Sequence, residues 1–240
     1  MSRESDLREF VERLKTAAGA KLTAVVLYGS GADQDFRKEH SDLNILCLLQ
    51  SVDAAELAKL QPAGLWWSRK SHPTPLIFTL RELQESADVF AIELIDMKAR
   101  HRMLLGEDFL TAFDVPMTLH RLQVERELRT SVIRLRQAFL RLSGDRAELT
   151  DLMIASASTF ATLFRHALIA LGESAADSRR EALDRLAAKI AFDPAAIHTV
   201  LDLRDGKRRA GEVDHDRTFA AYLDAVTRVA EEMDRRLAAP

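Results

Sequence analysis

The hydrophobic residues in the first half of the chain alternate between helical and strand spacing. The first segment places its apolar residues at i, i+3, i+4 and i+7, the spacing of one helix face: Leu7, Phe10, Val11 and Leu14. Continuous apolar runs at 22–28, 43–49 and 75–79 are typical of buried strands. Strands that alternate with helical segments in this way predict a small mixed β-sheet flanked by helices.

The second half of the chain keeps helical spacing throughout. From Met117 onward each long segment carries one apolar face, which predicts a bundle of four or five helices. The first of them, 117–142, is expected to place these residues on one face: Leu119, Leu122, Leu128, Val132, Leu135, Phe139 and Leu142. The predicted fold class is therefore α+β, with a mixed-sheet domain at 1–112 and an all-α helical bundle at 113–240.

Local signals indicate where several helices begin and end. The segment 79–82 has the Thr-x-x-Glu spacing of a capping box, and 178–181 has the related Ser-x-x-Glu spacing. The Asp-Pro pair at 193–194 predicts another helix start. The helix that begins near residue 52 is expected to end near Pro62, because a proline inside a helix removes a backbone hydrogen bond.

The turn after the first predicted strand has residues suited to binding an anion. Gly29 lets the backbone pass close to a ligand, and main-chain N–H groups together with the Ser30 hydroxyl could meet its charge. After a polar stretch, the second strand opens with Asp42 and Asn44. Side chains two residues apart in a strand share a face, so these two form a potential metal clamp beside a triphosphate cradle.

Gly29-Ser30 and Ser41-Asp42-Leu43-Asn44, each joined to an apolar strand, resemble the signature of the polymerase β-type nucleotidyltransferase superfamily. The helical second half resembles that of aminoglycoside adenylyltransferases. The resemblance implies an NTP as substrate or ligand, Mg²⁺ as cofactor and a small molecule or a protein as acceptor. It also implies a homodimer as a frequent assembly.

The chain departs from that signature at the metal ligands. In active members, the resemblance implies, three carboxylates hold two Mg²⁺ ions; here Asp42 is the first, and the neutral amide of Asn44 replaces the second. The third apolar run, 75–79, contains no acid. Glu93 or Asp96 could restore a third ligand if either faces the cleft. Alternatively, Glu93 pairs with a nearby arginine or caps local backbone.

One further residue stands next to the motif. His40 directly precedes Ser41 and Asp42, and a loop histidine beside a phosphate site could contact a phosphate or shuttle a proton. A loop residue without such a role is the other interpretation.

Arginines exceed acids along the helix predicted at 117–142. The arginines are Arg121, Arg126, Arg129, Arg134, Arg136 and Arg141, and they stand against Glu125 and Glu127. Such an excess could face a polyphosphate or an acidic partner, or it could form a solvated face.

Composition limits the functional classes. A net charge of −3 over 240 residues gives no global attraction to nucleic acid or to an acidic membrane, so neither is expected as a partner. The single cysteine, Cys47, lies in an apolar run, which argues against a disulfide framework and a cysteine-based metal site. The first residues contain no apolar signal core, and no apolar run of membrane-spanning length is evident, so a cytoplasmic protein is expected.

Three functions are compatible with these features. The first is a nucleotidyltransferase-family protein that binds an NTP between its two domains, with weakened or lost nucleotidyl transfer. The second is an active Mg²⁺-dependent enzyme that adenylylates a small hydroxylated molecule or a protein, and the third is a non-catalytic interaction module. The residues assigned to the site are Gly29, Ser30, His40, Asp42, Asn44 and Glu93.

Overall fold

The computed structural model describes residues 3–32, 42–117, 119–142 and 144–237, without the side chains of Ser30 and Leu237. The chain divides into two compact units, Met1–Pro116 and Met117–Pro240. The sequence placed the domain boundary slightly earlier, between residues 112 and 113.

The N-terminal unit is a four-stranded mixed sheet with helices on both faces. Its elements are α1 (Arg3–Ala18), β1 (Leu22–Tyr28), β2 (Asn44–Leu49), α2 (Ala54–Ser68), β3 (Leu76–Phe78), α3 (Leu80–Glu85), α4 (Ala91–Ala99) and β4 (His101–Leu105). The strand order is β3-β2-β1-β4. β1 is antiparallel to β2 and β4, whereas β2 and β3 are parallel, so the predicted mixed sheet is confirmed.

Two apolar layers enclose this sheet. On one face, side chains of β1 and β2 pack with α1 and α2, where Phe10 stacks on the fully buried Trp67 at 4.4 Å between ring centroids. On the other face, Val26 and Leu46 pack with Leu94 and other residues of α3 and α4. Because both faces are covered, only the ends and edges of the sheet can expose functional groups.

Helix α2 differs from its predicted length. It runs through Pro62 to Ser68 instead of ending at the proline. Asp53 caps its first turn by accepting a hydrogen bond from the Glu56 N–H at 2.9 Å, and Trp67 anchors its last turn in the core. Burial on both sides of the proline therefore outweighs the missing hydrogen bond.

The C-terminal unit consists, in its described residues, of five α-helices. They are α5 (His120–Phe139), α6 (Arg146–Ala170), α7 (Arg179–Ile190), α8 (Ala195–Arg204) and α9 (His215–Leu237). The predicted cap at Ser178 forms, since its hydroxyl accepts from the Glu181 N–H at 3.1 Å. The Asp193 carboxylate accepts from the Ala195 N–H at 2.9 Å, but α8 begins at Ala195, so Pro194 is its N-cap and not its first helical residue. The capping box at Thr79 and Glu82 in the other unit also forms.

The apolar face predicted for α5 is partly wrong. The buried side chains are His120, Val124, Leu128, Val132 and Leu135. Leu119 and Leu122, which the sequence assigned to this face, are 42% and 56% exposed. The reason is geometric: at 100° per residue, Leu119 lies on the side of the helix opposite Leu128.

Helix α6 is long and apolar enough to cross a membrane, by length and composition alone, and in the described part of the chain it is the one helix that is. The expectation that no run has that length is therefore wrong for this helix. Half of its most apolar window is buried inside the structure. The core helix of a soluble protein meets the same criteria, so this feature is weak evidence for a membrane protein.

A glycine after β4 allows a close backbone contact and supplies a test of the sheet. Gly106 has φ +84°, and a Cβ there would lie 2.4 Å from the Thr23 carbonyl oxygen. We expect Gly106→Ala to lower the free energy of unfolding by about 2 kcal/mol or more, measured by urea denaturation. Gly64→Ala is the control: its Cβ would meet nothing within 4 Å inside α2, so it should stabilise by about 0.5–1 kcal/mol. Equal effects of the two changes would contradict this account.

His72 should make the N-terminal unit sensitive to acid. Its ring stacks on Trp67 at 4.2 Å, and its Nε2 lies 3.7 Å from the Asp6 carboxylate. Burial, the largest influence, lowers the pKa of His72 below its usual 6.5, although Asp6 acts to raise it. Folding therefore favours the neutral ring, so this contribution to stability is complete above pH 6.5 and is lost as pH falls through the folded pKa.

The change His72→Phe isolates this contribution, since phenylalanine keeps the stacking but cannot be protonated. We expect the wild type to lose stability relative to the variant as pH is lowered from about 8 to about 5, followed by urea denaturation at each pH. A stability difference that stays constant across this range would contradict the prediction.

Candidate functional site

A row of three polar side chains crosses one end of the sheet. In the strand register, Tyr28 at the end of β1 pairs with Asn44 of β2 on one side and with His101 of β4 on the other. Side chains directly opposite in antiparallel strands point to the same face. Tyr28 packs against the apolar layer that contains α4, so all three side chains lie on the α4 face of the sheet.

The turn after β1 lies against this row. Gly29–Ala32 forms a short 3₁₀ helix, and the Gly29 N–H donates to the Arg100 carbonyl oxygen at 2.9 Å. Gly29 has φ +74°, a left-handed conformation that favours glycine, and its Cβ position lies 3.6 Å from the Asn44 amide nitrogen. Two of the residues predicted for the site, Gly29 and Asn44, are therefore neighbours.

Asp42 lies against the same turn, but it stands before the strand in which the sequence placed it. It lies two residues before β2, in irregular backbone, and its side chain is exposed. β1 ends at Tyr28, which pairs with Asn44, so Asp42 has no partner in β1 and lies just outside the observed β2. Its backbone instead lies against the turn: a Cβ on Gly31 would be 2.8 Å from the Asp42 carbonyl oxygen.

Glu93 comes from α4 and stands near the row. Its side chain is exposed. Burial raises the pKa of the Tyr28 phenol, and the negative charge of Glu93 raises it further, so the carboxylate lies within electrostatic range of the row. Of the nearby arginines, Arg102 donates to Glu4 at 2.9 Å.

His101 was not identified from the sequence. Its Nδ1 lies 3.1 Å from the Lys98 carbonyl oxygen, and its Nε2 lies 3.1 Å from the Asp108 carboxylate. Hydrogen bonds from Thr111, and then from His101, lower the pKa of Asp108 to about 2. The ring is thus fixed in place by the segment that follows β4, and only the strand register reveals that it neighbours Tyr28.

The described residues do not fit a resident two-metal centre. No group of three or more His, Cys, Asp or Glu side chains that could hold a metal ion occurs in the described ranges. Asp42 offers one carboxylate and Asn44 one neutral oxygen, whereas Mg²⁺ prefers charged oxygen ligands in near-octahedral geometry.

Three further residues named in the sequence analysis are His40, Ser30 and Cys47. His40 and the Ser30 side chain lie outside the described residues. Cys47 is fully buried in β2, and burial raises the pKa of its thiol to about 12, which makes it unreactive.

Comparisons with known proteins bear on the fold. No family model and no curated protein matches the sequence. Among solved structures, the chain is similar to the crystal structure of spectinomycin adenyltransferase AAD(9) from Enterococcus faecialis with ATP and spectinomycin, with a TM-score of 0.55. The identity is 14%, and the match covers 95% of this chain and 99% of that chain. The chain therefore shares the fold of that adenyltransferase, and the predicted α+β class is confirmed.

The placement of Glu93 beside Tyr28 can be tested by titration. The chain has only two tyrosines, and burial raises the pKa of the other, Tyr222. We expect Glu93→Gln to lower the pKa of the Tyr28 phenol, measured by tyrosinate absorbance, because a negative charge that opposes ionisation is removed. Glu107→Gln, an exposed change in the loop after β4, is the control and should leave both tyrosines unchanged. No change on Glu93→Gln would mean that the carboxylate does not approach the row.

Proposed function

We propose that this protein binds a nucleoside triphosphate at the end of the N-terminal sheet and has weakened or lost nucleotidyl transfer. The observation that supports this best is the contact of the Gly29–Ala32 turn with both Asp42 and Asn44. A glycine-containing turn after a buried strand, next to oxygen ligands for a cation, has the chemistry that a metal-bound triphosphate requires.

The individual roles follow from this arrangement. The Gly29 N–H is already used by the Arg100 carbonyl, so we assign phosphate contact to Ser30 and to the main chain that follows it. Asp42 would coordinate a Mg²⁺ ion that arrives with the triphosphate, and Asn44 would contact the ligand through its neutral amide. His40, beside this motif in sequence, would contact a phosphate.

Weak or absent transfer follows from the ligand set. Activating an acceptor hydroxyl for attack on a phosphate requires metal ions that neutralise the developing charge. With one carboxylate at Asp42 and an amide at Asn44, the described residues supply less of that charge stabilisation than a set of three acids would.

An active enzyme is the second candidate, and the position of Glu93 favours it. A carboxylate from α4 near the row could complete the acidic set that Asn44 interrupts. AAD(9), whose structure was determined with ATP and spectinomycin, supports ATP as the nucleotide and a small hydroxylated molecule as the acceptor. A non-catalytic interaction module remains the third candidate.

Thermal unfolding with each NTP, with and without Mg²⁺ or Mn²⁺, tests nucleotide binding. A ligand that binds only the folded protein stabilises it by about 2.7 kcal/mol at a hundredfold excess over Kd. We therefore expect a metal-dependent rise in the melting midpoint, of roughly 5 °C, with at least one NTP. No rise with any nucleotide would overturn this proposal and favour the interaction module.

Three substitutions then separate the candidates. Asp42→Asn removes the one charged ligand and should abolish the metal dependence of the rise. Asn44→Asp distinguishes a decayed site from an active one: a gain of NTP turnover supports the first candidate, and a loss of existing turnover supports the second. Glu93→Gln should reduce turnover only if the second candidate is correct.

A further inference from the structure

Helix α5 exposes an unusual concentration of large apolar side chains. Among the described residues, twelve large hydrophobic side chains are exposed, and six of them lie between residues 117 and 140. These six are Met117, Leu119, Leu122, Ile133, Phe139 and Leu140, with exposures from 42% to 82%. Met117 and Leu119 precede α5, Leu140 directly follows it, and Phe139 stacks on Phe219. Scattered apolar side chains are normal on a protein surface, whereas apolar side chains aligned along one side of a helix indicate an interaction site.

Three of these side chains form a single row. Leu122, Ile133 and Leu140 are separated by eleven and seven residues, which places them within about 20° of one another around the helix axis. The row points away from the buried face that contains Leu128 and Leu135. It extends over about 27 Å, the length of a helix of five turns. We call the surface formed by Leu122, Ile133 and Leu140 with the arginines between them the α5 stripe.

The arginines of the α5 stripe give it a positive charge. Arg126, Arg129 and Arg136 lie between the apolar residues on the same side of the helix. Arg129 pairs with Glu125 and Asp234, and Arg136 donates to the Thr227 hydroxyl. Arg126 is exposed and makes no hydrogen bond or ion pair within the described residues, and Arg136, also exposed, has no acidic partner there. The stripe therefore has unused positive charge as well as exposed apolar area.

The exposed apolar area and the positive charge of the α5 stripe together indicate which class of partner it fits. A second copy that docked through the same stripe would lie antiparallel and bring Arg126 against Arg136, since a two-fold interface places each surface against itself. Like charges repel across an interface, so a second copy is disfavoured. A membrane surface also fits less well, because the apolar residues form a narrow row and the opposite side of α5 is fixed in the bundle. A partner with acidic residues between apolar ones would match the stripe.

We infer that the α5 stripe binds an acidic amphipathic helix of another protein. The partner helix carries apolar side chains that meet Leu122, Ile133 and Leu140, and Asp or Glu residues that pair with Arg126 and Arg136. Helices that dock in this way are recognised by regularly spaced apolar anchors. The α5 stripe belongs to the C-terminal unit and the residues assigned to the nucleotide site to the N-terminal unit. The inference does not depend on nucleotide binding.

The test uses the full-length protein and a synthetic helical peptide of about 20 residues with leucines at the spacing of the stripe and glutamates between them. We expect saturable binding by fluorescence anisotropy, weakened by salt because the charge pairs are exposed. A peptide with lysines in place of the glutamates should not bind. Arg126→Glu with Arg136→Glu, and separately Leu122→Ser with Ile133→Ser, should weaken binding at least about tenfold.

The controls exclude unfolding and unspecific charge effects. All four substituted side chains are exposed, so the melting midpoint of each variant should stay close to that of the wild type. Arg8→Glu with Arg81→Glu makes the same change in net charge at side chains that are 81% and 84% exposed, and it should leave peptide binding unchanged.

Four outcomes would overturn the inference. They are absence of binding to the acidic peptide, equal binding of the lysine peptide, binding of the protein to vesicles of anionic phospholipid that the stripe variants abolish, and concentration-dependent self-association that the same variants abolish. Sedimentation of the protein alone and with vesicles measures the last two.

Discussion

The pairing of β1 on both of its edges is the constraint on which the N-terminal unit depends. Residues 25–27 have no exposed surface, and their backbone is hydrogen-bonded to β2 on one side and β4 on the other. A slip of one residue in either neighbour would turn buried apolar side chains to the opposite face, so the register is strongly fixed. Tyr28 is therefore held between Asn44 and His101 by the burial of the core, without any contribution from the polar groups themselves.

The charges of the polar groups at this end of the sheet affect both the stability of the folded protein and the attraction for Mg²⁺. Several carboxylates close together repel one another in the absence of a cation, which raises their pKa values and destabilises the folded state. An amide at Asn44 removes one such charge while Glu93 remains in electrostatic range of Tyr28. The same neutrality lowers the attraction for Mg²⁺. Under the proposed function, a metal ion would therefore arrive with the triphosphate and would not be resident.

Sequence periodicity predicted the elements whose burial is continuous, and it failed where position depends on distant partners. β1 was predicted with its observed bounds because its residues are apolar except for Thr23, and residues 24–27 are all buried. β4 was missed, since all five of its residues are only half-buried and include His101 and Arg102. The site divides in the same way: Gly29 and Asn44 carry a local motif, whereas Tyr28 and His101 acquire their positions only through pairing of β1 with β4.

Helix α5 has apolar residues both on its buried face and on its exposed side. Its buried face stabilises the bundle through residues such as Leu128 and Leu135, whereas Leu122 and Ile133 lie on the other side and contribute little to packing. Exposed apolar residues are not needed for folding, so changing them should cost little stability. A large effect of such a change on association would therefore report a binding role, because a change in folding could not account for it.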